Sequence, residues 1–144
     1  MQFHGEFQHR VDPQGRIAIP ARYREAFTKG IYLTRGFDQC VWVFSPDEWV
    51  SYSSRYAAMS PNSRVARTLR RRVFGSTFDL ELDRQGRVVL PQPLRQFAGL
   101  QEEVVIVGAG TWLELWDRAR WDDQIADVDA ADLDFVDDAG RVSE

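Results

Sequence analysis

A five-residue element occurs twice in the chain, as Asp12-Pro13-Gln14-Gly15-Arg16 and as Asp83-Arg84-Gln85-Gly86-Arg87. Asp first, Pro second and Gly fourth match a type I turn, and the second copy keeps the Asp and the Gly. Turn chemistry accounts for those residues without any ligand, and each arginine could then simply pair with a nearby acid. It does not account for an arginine ending the turn in both copies. A guanidinium is a planar fork of donors that fits phosphate or the O6/N7 edge of guanine. An arginine at a hairpin tip is placed to enter a major groove, and strand-based readers of DNA exist beside helical ones. The candidate DNA-contacting residues are Asp12, Gln14 and Arg16 in the first turn and Asp83, Arg84, Gln85 and Arg87 in the second. Arg22, Arg24 and Arg95, just beyond the turns, join them.

A second basic feature is Arg64, Arg67, Arg70, Arg71 and Arg72. Val65, Leu69 and Val73 recur every four residues among them, which predicts an amphipathic helix. Arg64, Arg67 and Arg71 then share a face, either a solvated or ion-paired surface or a weak phosphate-contacting patch that positions without reading sequence. Catalytic chemistry finds no support. His4 and His9 have no counterparts in the second copy and no metal-ligand spacing. Cys40 is alone, which excludes a disulfide framework or clustered thiolates. Gly108-Ala109-Gly110 lacks the rest of a dinucleotide fingerprint and reads as a turn. The expectation is no catalytic residue, no metal and no cofactor.

The elements that position the two turns repeat with them. Phe7-x-His9-x-Val11 and Phe78-x-Leu80-x-Leu82 alternate as strands do. Short strands follow at 16–19 and 87–90. Pro20 and Pro91 stand where a helix begins, and Gly30 and Gly99 where it ends. Two more strands fall near 31–34 and 40–44, and near 103–107 and 112–116. Ser45 and Asp117 then cap a further helix in each copy. Four short strands are few for a stable core, but two copies can bury their apolar faces against each other. The predicted fold is α+β, mainly β: one pseudo-symmetric domain, a small barrel closed by strands from both copies. The expected divisions are a first repeat at 5–51, a helical linker at 52–76, a second repeat at 77–121 and an acidic tail at 122–144. The tail is expected to be a frayed helix end followed by disorder.

The chain has 144 residues, with a formal charge of −4. At 44% hydrophobic and 12% aromatic it can bury a core, which excludes wholesale disorder. No run of about 18 apolar residues offers a membrane span, and the first residues do not read as a signal peptide, so a cytoplasmic place is expected. The acidic total hides a division. Residues 1–100 hold 15 basic and 9 acidic residues, net +6, whereas 101–144 hold 3 and 13, net −10. The body that carries the turns is basic, so the total does not exclude a nucleic-acid partner.

Over roughly residues 1–125 the chain resembles the MraZ family of bacterial transcriptional regulators. The resemblance rests on Gly5-Glu6, on Asp12-x-x-Gly15-Arg16 with Ile19-Pro20-x-x-Tyr23-Arg24, and on Asp83-x-x-Gly86-Arg87. Pro93-Leu94-Arg95, Ala98-Gly99-Leu100 and Leu113-Glu114-Leu115-Trp116-Asp117 complete it. It implies a duplicated AbrB/SpoVT-like swapped-hairpin fold and assembly into a homo-oligomeric ring. It also implies binding of double-stranded DNA at short G-rich direct repeats upstream of the division and cell-wall gene cluster, in the nucleoid, as a repressor. The family's DNA-binding Asp-x-x-x-Arg motif falls on Asp12 and Arg16 and on Asp83 and Arg87. Arg84 departs from the first turn by replacing its proline. The alternative is a ring-forming interaction protein whose arginines serve subunit contacts without base readout.

Overall fold

The structure is a computed structural model that describes residues 1–139. Eight strands run β1 Glu6–Arg10, β2 Arg16–Ala18, β3 Ile31–Arg35, β4 Val41–Phe44, β5 Phe78–Leu80, β6 Arg87–Val89, β7 Glu103–Gly108 and β8 Leu113–Asp117. A 3-10 helix covers Ala21–Phe27, and four α-helices follow: α1 Pro46–Ala57, α2 Arg64–Gly75, α3 Gln92–Ala98 and α4 Arg118–Ala139. None of the described helices is long and apolar enough to cross a membrane.

The two copies exchange strands. The main sheet is antiparallel in the order β1-β7-β8-β4-β3-β5, so the first strand of each copy pairs with the other copy. Among the described residues the short strands β2 and β6 pair only with each other. In the β4–β8 pair, Val41 faces Leu115, Trp42 faces Glu114 and Val43 faces Leu113. In the β2–β6 pair Ile17 faces Val88. Residues at equivalent repeat positions therefore face each other about one pseudo-twofold axis, which passes between Trp42 and Glu114 and between Ile17 and Val88.

The sheet is not the closed barrel expected from sequence. Its edges are β1 and β5, and no pairing joins them among the described residues. Each edge strand runs directly into an Asp-x-x-Gly-Arg turn that carries the chain into the separate β2–β6 ribbon.

Period-two alternation supplies the core. Ile31 and Leu33, Val41 and Val43, Val104 and Ile106, and Leu113 and Leu115 point to one face of the sheet, where they meet Ile17, Val88, Leu90, Tyr23, Phe27 and Leu94. All are buried, and each large apolar side chain of this kind contributes about 1.5–3 kcal/mol. The other face carries an aromatic cluster of Trp42, Phe44, Trp49, Tyr56 and Trp116, with Val73 of α2.

Helix ends follow the sequence signals. The Ser45 hydroxyl accepts from the Glu48 amide at 3.4 Å and an Asp117 carboxylate oxygen from the Arg120 amide at 3.3 Å. Gly99 ends α3 in the left-handed region at φ 63°. The 3-10 helix is capped by Thr28 rather than Gly30, which lies two residues further on. Helix α4 spans Arg118–Ala139. Residues 140–144, the end of the acidic tail, lie outside the described residues.

Candidate nucleic-acid interface

Each turn is built around its aspartate. In the first, the Gly15 amide donates to the Asp12 carbonyl at 2.9 Å and the Asp12 amide to the Arg16 carbonyl at 2.9 Å. Asp12 Oδ1 accepts from the Gln14 and Arg16 amides, each at 2.9 Å, and Oδ2 from Arg16 Nε at 2.7 Å. The second turn repeats this. Asp83 Oδ1 accepts from the Gln85 and Arg87 amides at 2.9 Å, and Oδ2 from Arg87 Nε at 2.8 Å. Gly15 and Gly86 sit at φ 79° and 76°, the left-handed region that glycine enters without strain. The backbone amide of the turn arginine, then its side chain and the amide two residues after the aspartate, hold both carboxyls below the usual range.

The aspartate therefore fixes where each arginine goes. Arg16 and Arg87 side chains are 28% and 29% exposed, less than a free hairpin tip would give. Each guanidinium is folded onto its own aspartate, and beyond the closing Asp-to-Arg backbone bond the two arms part, one to the main sheet and the other to the ribbon. With Nε held by the aspartate, the terminal nitrogens remain as donors. An Arg16 terminal nitrogen reaches Gln14 Oε1, whereas those of Arg87 have no hydrogen-bond partner among the described residues. Arg84 and Gln85 are exposed beside it.

Arg24 and Arg95 join the turns, but across the repeat. Arg24 Nε donates to the Ile19 carbonyl at 2.9 Å and its guanidinium lies on Gly86 of the second turn. Arg95 lies against Gly15 of the first. The matched spacing of Arg24 and Arg95 from the two turns was the sequence signal available, but spacing does not say which turn each would meet. His9 on β1 is held neutral more firmly than usual, by burial and then by the Arg24 charge.

The remaining candidates stand apart. Arg22 is exposed over the ring of Tyr23, 5.6 Å from its centroid. Helix α2 packs on the aromatic face of the sheet, away from the ribbon. Its apolar side is Ala66, Leu69 and Val73, while Val65, expected inside, is 70% exposed. The difference is one residue of helix phase, since 66, 69 and 73 form an equally regular stripe. Arg67 donates to the Pro61 carbonyl, Arg70 to the carbonyls of Tyr56 and Ala57, and Arg72 to that of Gly36. Arg64 and Arg71 are exposed. Three of the five arginines of α2 thus tie the helix to its surroundings. Cys40 is buried and its thiol is pushed up by burial, consistent with packing.

The sequence matches the family described as "MraZ protein, putative antitoxin-like" twice, over residues 2–72 and 73–141. It is 40% identical over 128 residues to a protein of Roseiflexus castenholzii named transcriptional regulator MraZ, covering 89% of this chain and 90% of that one. A protein of Thermomicrobium roseum with the same name is 42% identical over 119 residues, 83% of this chain and 84% of that one. One from Acetivibrio thermocellus is 36% identical over 125 residues, 87% of each.

Proposed function

We propose that this chain, which belongs to the MraZ family, is a DNA-binding transcriptional regulator that reads DNA with its two Asp-x-x-Gly-Arg turns. The observation that carries this reading is the pair of turns itself. Two arginines, each held at Nε by the aspartate of its own turn, are presented in pseudo-twofold relation. A guanidinium fixed at one end loses little freedom on binding, so its terminal donors meet a guanine edge at low entropic cost. Gln14, Gln85 and Arg84 flank the arginines. Arg24, Arg95 and Arg22 add positive charge, and Arg64, Arg67 and Arg71 supply only weak, sequence-independent attraction.

The expected targets are short G-rich direct repeats upstream of the division and cell-wall gene cluster, bound by a homo-oligomeric ring acting as a repressor. Several chains on one DNA would multiply weak single contacts through effective concentration.

One observation favours the second reading, a ring-forming interaction protein without base readout. Each turn arginine already has an acidic partner, and three arginines of α2 serve backbone carbonyls. Titration of DNA upstream of the chain's own gene against unrelated DNA, across a salt series, separates the two. The first reading predicts a preference that survives at high salt. The second predicts no preference, or affinities that fall together as salt rises.

A further inference from the structure

We propose that Arg24 and Arg95 are positioning residues that act across the repeat, each holding the Asp-x-x-Gly-Arg turn of the other copy. Arg24 belongs to the first copy and is anchored there by its Nε bond to the Ile19 carbonyl. Its guanidinium nevertheless covers Gly86 in the second turn, where a methyl group would overlap Arg24 Nε and Cδ and come within 2.8 Å of Cζ. Arg95, in the second copy, lies over Gly15 of the first turn, with Nη1 3.2 Å from where a methyl group would be.

The backbone crosses in the same sense. The Ile19 amide donates to the Gly86 carbonyl at 2.9 Å, and the Leu90 amide to the Gly15 carbonyl at 2.8 Å. Each turn glycine is therefore held at its carbonyl by the residue that follows the other copy's short strand, β2 or β6, and covered at its α-carbon by the other copy's arginine. Glycine at these positions serves both the left-handed backbone and the close approach of the guanidinium.

The grip is unequal. The second turn has no proline, and Arg24 approaches it more closely than Arg95 approaches the first. Arg24 thus restrains a turn that its own residues restrain less. This rests on the reading of the turns as DNA contacts only for its consequence in binding; the geometry stands independently of it.

The test uses the full chain with Arg24→Ala, Arg24→Lys, Arg95→Ala and Arg95→Lys. The side-chain Nε–H signals of Arg16 and Arg87 and the amide signals of Gly15 and Gly86 are followed by NMR. Both Arg24 variants are expected to move the Arg87 and Gly86 signals and leave Arg16 and Gly15 in place; the Arg95 variants do the reverse. Arg24→Lys keeps the charge, so its salt slope stays unchanged while affinity for the specific DNA falls about ten-fold, the size of one weakened base contact. Signals that move only in the turn of the substituted copy, or in neither turn, overturn the proposal. If the NMR pattern holds but Arg24→Lys binds DNA normally, the positioning role stands and DNA contact by the second turn is overturned.

Discussion

The first turn is stiffened by its own residues, and the second is left looser and more charged. Pro13 fixes the backbone of one, and the Gln14 side chain ties down a terminal nitrogen of its arginine. In the other, Arg84 replaces the proline and Arg87 keeps its terminal nitrogens unpaired among the described residues. The leading strands differ likewise: β1 pairs with β7 over five residues, β5 with β3 over three. Two copies of one motif have thus divided between preorganisation and charge. Their aspartate cages remain the same, which marks the Asp–Arg contact as the part both copies need.

That contrast can be broken experimentally. The largest effect is expected from Arg16→Ala, which should weaken specific binding by up to about 100-fold, against about ten-fold for Arg87→Ala, because the preorganised donor loses less entropy on binding. Fluorescence anisotropy on the same DNA compares the two, and equal losses would remove the distinction. Next, Gly86→Ala should destabilise more than Gly15→Ala in thermal unfolding. Both pay about 1 kcal/mol or more for a positive φ, but only Gly86→Ala also drives Arg24 away.

A smaller effect should follow from Arg84→Pro. The first turn already accepts proline at this position, so stability should rise by about 0.4–1 kcal/mol. If Arg84 meets a phosphate, the slope of log affinity against log salt should shrink by about one. An unchanged slope would place Arg84 off the DNA.

The smallest effect concerns pH. Both aspartates have folded pKa values lowered mainly by the backbone amides of Arg16 and Arg87. Their contribution is complete above the ordinary carboxyl pKa and is lost only as pH falls through the lower folded values. Carboxyl NMR should therefore show Asp12 and Asp83 titrating below the ordinary carboxyl pKa, with the turns intact throughout the neutral range. Ordinary midpoints would mean that the cages are loose in solution.

Much of this was legible in the chain. The duplication, the turn type, the helix caps and the strand alternation are local, and local chemistry is written in neighbouring residues. Partner choice is not. Nothing in the pattern of Phe7, His9 and Val11 says that β1 pairs with β7 rather than with β2, because both partners offer the same alternation. The reach of Arg24 to Gly86 was hidden for the same reason. Helix α2 shows a subtler limit, since Val65 and Ala66 are both apolar and packing alone decides which goes inside. The barrel expectation failed because closure depends on whether the edge strands meet, and each instead turns off into the ribbon.

If the two caged arginines read DNA, removing both abolishes sequence preference. The wild type and Arg16→Ala/Arg87→Ala are compared on DNA from upstream of the chain's own gene and on a scrambled version at one salt concentration. The double variant should fold, retain weak binding and bind both DNAs equally. A double variant that still prefers the native sequence as strongly as the wild type would contradict it.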